Sequence, residues 1–172
     1  MTKLLVFLLA AMTLVSTMAF ARDEDRTLEY RLLGRQLQEA GEYEKALQYF
    51  KKASRLDLSD AASQNDVGAI YEKLGRLKEA EAAYKEALKR DPAYAPVHAN
   101  MARLYEKTGR KTLALNAWRQ RAKLGQKSDP WRQEAERRAQ KLTQMARQAD
   151  SESSQPLMAE ELAMQMVSER QR

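Results

Sequence analysis

The stretch that decides the fold is AASQNDVGAIYEKLGRLKEAEAAYKEALKRDP, residues 61–92. Alanine, glutamate, lysine and leucine dominate it, and all of these are strong helix formers. Gly75 lies near its middle and lacks the Cβ that penalises a positive φ, so it can close one helix before the next begins. Asp91-Pro92 marks the end, because helices usually stop at or before the residue preceding a proline. The stretch therefore predicts two short helices joined by a tight turn.

The same pattern recurs at a spacing of 34 residues on both sides of this stretch. Four kinds of residue recur: the turn glycines Gly41, Gly75 and Gly109; the second-helix alanines Ala46, Ala80 and Ala114; the aromatic residues Phe50, Tyr84 and Trp118; and the first-helix small residues Gly34, Gly68 and Ala102. We expect the alanines to lie opposite the first-helix small residues, where close helix approach is possible. We expect the aromatic side chains to fill the space between successive pairs. Pairs this short must stack to bury their apolar faces, so the sequence predicts an all-α array of three helix pairs.

Composition supports one all-α domain and argues against catalysis. The chain has 172 residues, of which 44% are hydrophobic, enough for one core. It contains no cysteine, which excludes disulfides, thiolate metal ligands and a cysteine nucleophile. The single histidine, His98, lies outside any metal or triad motif, and no glycine-rich phosphate loop occurs. We therefore expect no enzyme activity, no cofactor and no metal site.

The first 21 residues have the pattern of a signal peptide. Lys3 gives a positive start, residues 4–15 are almost wholly apolar, and Ala19 and Ala21 place small residues where a signal peptidase reads them. We expect cleavage after Ala21 and a product in the bacterial periplasm or outside the cell. The apolar segment is nearly long enough to cross a bilayer, so an uncleaved membrane anchor is the alternative.

The C-terminal quarter of the sequence predicts a closing helix and a tail. Asp129 is suited to capping a helix and Pro130 to its first turn. We expect a capping helix over residues 129–149, with an apolar stripe made of Trp131, Ala135, Leu142 and Met145. Residues 150–172 are expected to form a polar linker and a short amphipathic helix, which either docks on the array or binds a partner.

In its period and in the residues quoted above, the sequence resembles the tetratricopeptide repeat family. The resemblance implies a right-handed superhelix of three repeats, at residues 27–60, 61–94 and 95–128, followed by the capping helix. One departure concerns a small residue late in the second helix. It is Ala53 and Ala87 in the first two copies but Arg121 in the third, as suits a terminal copy that faces a cap.

In that family the first helices of successive repeats line a concave groove, which usually holds a peptide or a partner's helix. The resemblance implies a groove here lined by Arg31, Leu32, Arg35, Asn65, Asp66, Ala69, Lys73, Asn100, Arg103 and Lys107. Some members clamp the C-terminal carboxylate of chaperones with a set of Lys, Asn and Arg side chains. That set is not present, since the matching positions hold Arg31, Arg35, Asp66, Pro96 and Asn100. The groove arginines can still pair with carboxylates, or they simply solvate their helices.

Positive charge is concentrated near the C-terminal end of the array. The net charge is +6, and residues 110–149 alone hold 11 basic and 3 acidic residues. We predict a basic patch at Arg119, Arg132, Arg137, Arg138 and Lys141. Such a patch attracts polyanions, and in an exported protein an acidic partner or anionic lipid is expected rather than nucleic acid. The alternatives are that it contacts the acidic tail or only solvates its helices.

Two functions fit this sequence. The first is a non-catalytic scaffold or adaptor in the bacterial cell envelope that holds a segment of a partner protein in the groove. The second is a membrane-tethered or self-associating structural element that uses an uncleaved anchor and the C-terminal amphipathic helix. The mass of the exported product separates them, because a product that begins at Arg22 has lost the anchor.

Overall fold

The computed structural model describes residues 25–170, with side chains over residues 25–152. Within that range the chain is helical between short turns. The first helix, α1, covers residues 25–39. It is followed by α2 (Tyr43–Leu56), α3 (Ala61–Lys73), α4 (Leu77–Arg90), α5 (Ala95–Lys107), α6 (Lys111–Leu124) and α7 (Pro130–Arg170). The predicted signal peptide and its cleavage site lie outside the described residues.

The first six helices form three helix-turn-helix pairs, and α7 closes the array. From α2 onward each helix packs against the next one along the chain, and α3 also contacts α5. Alternate helices therefore lie on the same side of the stack. The odd-numbered helices α1, α3 and α5 form the inner wall of a superhelix, and α2, α4 and α6 form the outer wall. This confirms the predicted all-α array.

Each pair turns at a glycine in the left-handed region. The φ angles of Gly41, Gly75 and Gly109 are 79°, 74° and 73°, as their positions in the repeat predicted. After each glycine the next backbone N–H reaches back to close the preceding helix, as when Arg76 donates to the carbonyl of Tyr71 at 2.9 Å. A helix end closed by such a hydrogen bond requires a residue that adopts positive φ without steric cost.

The three aromatic residues at the 34-residue spacing form the core. Phe50, Tyr84 and Trp118 are 1%, 0% and 2% exposed, which confirms their predicted burial. The atoms nearest to a Cβ built on Gly34 or Gly68 are ring carbons of Phe50 and Tyr84, at 2.8 Å and 2.5 Å. Gly34 and Gly68 therefore leave space that the aromatic ring of their own pair occupies.

The junction between α6 and α7 is built around a buried arginine. Arg121 donates to the Asp129 carboxylate at 2.6 Å, and Asp129 also accepts the backbone N–H of Trp131 at 2.9 Å, so it caps α7 as predicted. The predicted apolar stripe of α7 is confirmed only in part. Ala135 is buried, whereas Trp131 and Met145 are exposed. The buried side chain of Arg121 occupies the junction, and the indole of Trp131 in the first turn of α7 is exposed.

α7 runs from Pro130 to Arg170, so the polar linker predicted within residues 150–172 is wrong, because this part of the chain continues the helix. That segment contains no glycine, and its serine, glutamate and glutamine residues are compatible with an exposed helix. Pro156 lacks one backbone donor, which removes one hydrogen bond of the helix but does not end it. The predicted separate tail helix is thus the end of α7. Side chains over residues 144–152 are exposed, so this part of α7 extends away from the repeats.

No helix among residues 25–170 combines the length and the apolar character that a membrane crossing requires.

Candidate partner-binding groove

Polar residues predicted for the groove form hydrogen bonds between neighbouring inner helices. Arg31 on α1 donates to Asp66 on α3 at 3.0 Å. Further along the wall, Asn100 on α5 donates from its side-chain amide to the amide oxygen of Asn65 on α3 at 2.7 Å. Asn100 in turn accepts a hydrogen bond from Arg103. The structure therefore brings five predicted residues together as links across the inner wall, and these links fix the spacing of α1, α3 and α5.

Asp66 is the partly buried acid of this wall. Burial raises its pKa above the ordinary aspartate value, against the opposing effect of the Arg31 guanidinium. The Nη1 atom of Arg31 also lies 3.9 Å from the carboxylate of Asp60, which caps α3 by accepting the backbone N–H groups of Ala62 and Ser63. Arg31 is thus held between two carboxylates, and it is a structural cation of the wall rather than a free one.

The remaining predicted groove residues have no such internal role. Four of them are basic and exposed: Arg35, Lys73, Arg103 and Lys107. Within the described range none of these forms an ion pair with a carboxylate. Leu32 is 54% exposed at the α1 end of the wall, and Ala69 is half-buried between the two ends.

Two glutamates of the inner wall are bound to the aromatic core. The hydroxyl of Tyr84 donates to Glu72 at 2.6 Å, and the indole N–H of Trp118 donates to Glu106 at 2.6 Å. Burial and the carboxylate of Glu72 both raise the pKa of the Tyr84 hydroxyl. The sequence carries a signal for this pairing. In the first repeat the aromatic residue is Phe50, which has no donor, and the position that matches Glu72 is Gln38, which has no carboxylate. On α1, the position that matches Lys73 and Lys107 holds an exposed acid, Glu39.

At the α5 end the inner wall meets α7 and encloses a cavity of about 270 Å³. Its lining comprises Pro96, Ala99, Asn100, Arg103, Arg121 and Trp131. Of these, the α5 residues Ala99, Asn100 and Arg103 fall in the groove that the family resemblance predicts, and Arg121 and Trp131 were not predicted there. The contribution of α7 was missed because the sequence placed Trp131 in the apolar stripe that packs on the core.

The predicted basic patch is largely paired with acids of the same chain. Arg138 lies 2.7 Å from Glu134 and 2.9 Å from Glu106, Arg137 also pairs with Glu134, and Arg132 lies 2.8 Å from Glu136. These contacts lower the pKa of Glu134, mainly through the hydrogen bond from Arg138.

The other two residues of the patch, Arg119 and Lys141, are exposed and line different cavities, of about 310 and 220 Å³. Arg138 lines the second of these cavities together with Lys141.

The one histidine has a local partner. The Nε2 atom of His98 lies 3.1 Å from the carbonyl oxygen of Pro92, at the start of α5. In the described part of the chain no three His, Cys, Asp or Glu side chains lie together as a metal site would require.

Solved structures of similar fold cover most of the repeat region. SycD, a type III secretion chaperone of Yersinia enterocolitica in complex with a peptide of the translocator YopD, is 16% identical with a TM-score of 0.65, covering 71% of this chain and 95% of that one. PcrH from Pseudomonas aeruginosa is 21% identical with a TM-score of 0.63, covering 70% and 93%. The first TPR of Spaghetti (RPAP3), bound to an HSP90 peptide, is 15% identical with a TM-score of 0.63, covering 72% and 94%.

A search of the curated proteins finds no match. Two family models described as tetratricopeptide repeat match residues 24–93 and residues 71–133. Together they span the three helix pairs and the start of α7. With the 34-residue period, the glycine turns and the aromatic core, these matches show that the chain belongs to the tetratricopeptide repeat family.

Proposed function

We propose that this chain is a non-catalytic interaction scaffold of the bacterial cell envelope, which holds an acidic segment of a partner protein in its concave groove. The observation that carries this proposal is the charge that the inner wall leaves unpaired. Arg31 and Asp66 neutralise each other across the wall, and Glu72 and Glu106 bind core aromatic groups. A groove whose carboxylates are engaged and whose exposed groups are mostly cations favours an acidic ligand.

The solved relatives support a peptide or helix as the ligand. SycD and the first TPR of Spaghetti are both bound to peptides of other proteins in their structures. This chain has the same fold, and hydrogen bonds between its inner helices hold the wall in a fixed shape. A wall that is rigid before binding loses little conformational freedom when the partner arrives, which favours affinity.

The test is a peptide selection, followed by reversal of two lysine charges in the groove and, as a control, of two lysine charges on the outer helices. The full chain is used to select binders from a displayed library of random peptides, and affinities are measured by fluorescence anisotropy. Lys73→Glu with Lys107→Glu reverses two groove charges, whereas Lys78→Glu with Lys123→Glu makes the same change of net charge on exposed outer-helix positions. Selected peptides are expected to be rich in Asp and Glu.

We expect the groove pair of substitutions to weaken binding at least tenfold and the outer pair to leave it within about twofold, since a tenfold change corresponds to about 1.4 kcal/mol. High salt is expected to weaken binding to the wild type, because exposed charges are screened. If the groove variant binds the selected peptides as well as the wild type does, the proposed groove function is wrong.

The envelope location has its own test. Mass spectrometry of the chain recovered from the periplasm of an expressing bacterium is expected to give a product that begins at Arg22. Recovery of the intact chain in the membrane fraction would instead favour the tethered element described above, with residues 1–21 as the anchor.

A further inference from the structure

We infer that the α5 end of the groove contains a pocket for an apolar side chain next to a carboxylate, and that the capping helix α7 supplies one wall of it. This rests on the proposed function, since the occupant is part of the bound acidic segment. The pocket is the cavity of about 270 Å³ between α5 and the start of α7. That volume is slightly below the usual range of small-molecule sites, and it suits one side chain of a peptide.

The wall contributed by α7 is an indole that the repeat pattern would bury. Trp131 lies 34 residues after Val97, which is 0% exposed, yet Trp131 is 59% exposed. A large aromatic group left in water forgoes the free energy that burial would provide. Exposed tryptophans that line a pocket are typical of sites where a partner completes the burial, and tryptophan is enriched among residues that dominate binding energy.

The first turn of α7, which carries this indole, is held by a polar junction. The Arg121 side chain, 8% exposed, donates to Asp129 at 2.6 Å. Asp129 then accepts the backbone N–H of Trp131 at 2.9 Å. Arg121 and Asp129 are thus positioning residues that hold the first turn of α7 beside α5. The indole is placed in advance at the pocket edge, which reduces the conformational cost of binding.

The opposite edge of the pocket is cationic. Arg103 is exposed, and its described hydrogen bond is to the side chain of Asn100, which is itself held by Asn65. A guanidinium has five N–H donors, so donors remain for a carboxylate, with which it pairs in a bidentate geometry. None of the six lining residues is acidic, and Lys107 follows Arg103 one turn later on the same helix. Charge complementarity therefore selects an aspartate or glutamate of the partner.

The remaining lining is apolar. Pro96 and Ala99 lie on α5 beside Asn100, and together with the Trp131 indole they provide a surface for an aromatic or branched aliphatic side chain. The predicted recognition unit is thus one large apolar residue adjacent to one acidic residue.

NMR spectroscopy of the full chain tests this directly. The chain has two tryptophans, so the indole region of a ¹H–¹⁵N spectrum holds two cross-peaks, and Trp131→Phe identifies the peak of Trp131. The probes are three capped hexapeptides: one with Phe followed by Asp, one with Asn in place of Asp, and one with Ala in place of Phe. We expect the Phe-Asp peptide to shift the Trp131 peak saturably while the Trp118 peak stays in place.

We expect either change in the peptide, or Arg103→Gln in the protein, to weaken binding at least fivefold. Lys123→Gln, which removes an exposed charge from α6, is expected to bind as the wild type does. A Trp131 peak that does not move at millimolar peptide, or that moves equally with the Asn peptide, overturns the inference. A peak that moves with protein concentration alone would indicate that a second copy of the chain covers the indole, and would also overturn it.

One further variant separates this inference from the groove function. Trp131→Ala is expected to bind the selected acidic peptides at least tenfold more weakly, without a change in the unfolding temperature, because the indole is exposed. Peptides that keep full affinity for Trp131→Ala but lose it on Lys73→Glu with Lys107→Glu would leave the groove function standing and reject the pocket. If both variants keep full affinity, the groove function fails as well.

Discussion

Gly68 offers a quantitative test of how closely the inner helices pack against the aromatic core. A Cβ at this position would lie 2.5 Å from Cε1 and 2.6 Å from Cδ1 of Tyr84. Carbon atoms in contact are normally about 3.5–4.0 Å apart, so the overlap is about 1 Å or more. The ring is fully buried, and its hydroxyl is bound to Glu72 at 2.6 Å, so it has little room to withdraw. Gly68→Ala should therefore overpack the core.

Two opposing effects set the size of the change. Overpacking of a well-packed core costs about 1–3 kcal/mol, and a rigid ring favours the upper end of that range. Alanine is the better helix former by about 1 kcal/mol, which offsets part of the cost. We expect Gly68→Ala to lower the free energy of unfolding by about 2 kcal/mol, equivalent to about 4–8 °C in the unfolding temperature of a chain of this size. Chemical denaturation followed by circular dichroism measures the change.

A double-mutant cycle assigns the effect to the ring. Tyr84→Leu removes the ring, so in the presence of Gly68→Ala it should recover about 1–2 kcal/mol relative to additivity. Gly75→Ala is the matched control, because nothing lies within 4 Å of its Cβ and its cost comes from a φ of +74°. The control is expected to be additive with Tyr84→Leu within about 0.5 kcal/mol. A stable Gly68→Ala variant, or the absence of coupling with position 84, would refute the packing described for the pair α3 and α4.

Three further substitutions test the polar contacts. Tyr84→Phe removes the hydrogen bond to Glu72 and should lower the free energy of unfolding by about 1 kcal/mol in denaturation experiments, whereas no change would show that the contact is not formed in solution. Asp129→Asn should weaken the α6–α7 junction at neutral pH. Because the Arg121 hydrogen bond lowers the pKa of Asp129, its stabilisation is present above the ordinary aspartate pKa and is lost as the pH falls through the folded value. The difference from the wild type should therefore shrink in acid, and a constant difference would contradict this. Asp66 has a raised pKa, so its ionised form costs stability at neutral pH, and the cost declines as the pH falls. Asp66→Asn is thus expected to unfold at the same temperature as the wild type or slightly higher at pH 7, and a marked loss of stability would show that its charge is needed.

Local requirements made most of the fold predictable. The turn at Gly75 needs a residue that accepts positive φ, and Asp129 supplies a side-chain acceptor where α7 needs one. Burial of Tyr84 followed from a large residue recurring at a fixed spacing in an array that must stack. The first two features depend on residues near one another in sequence, and the third depends on a spacing that is visible in the sequence, so the sequence alone carries the information.

The groove was less predictable because its character depends on pairing between helices. The position of Asp66 on the inner wall followed from the family resemblance, but its pairing with Arg31 spans 35 positions in the chain. The bond between Glu72 and the Tyr84 hydroxyl was overlooked although the sequence carries a hint of it, since the first repeat has neither the acid nor the donor. Residue types predict which groups line the wall, and only the packed structure shows which charges are still available to a ligand.

Arg121 occupies the position at which the first two repeats have alanine, and it links the end of the array to the proposed pocket. At the matching position of the preceding repeat, Ala87 is fully buried and lets the next pair pack closely. Arg121 is longer, and its guanidinium lies close under Gly125, where an added Cβ would be 2.8 Å from Nη1. Its burial requires a carboxylate, and Asp129 supplies one at the first turn of α7. Further along α7 the repeat register is kept, since Ala135 and Ala139 are buried like Met101 and Tyr105, but at the first turn Trp131 is exposed where Val97 is buried. Arg121 thus ties the capping helix to the last repeat at the turn that carries the indole at the edge of the groove.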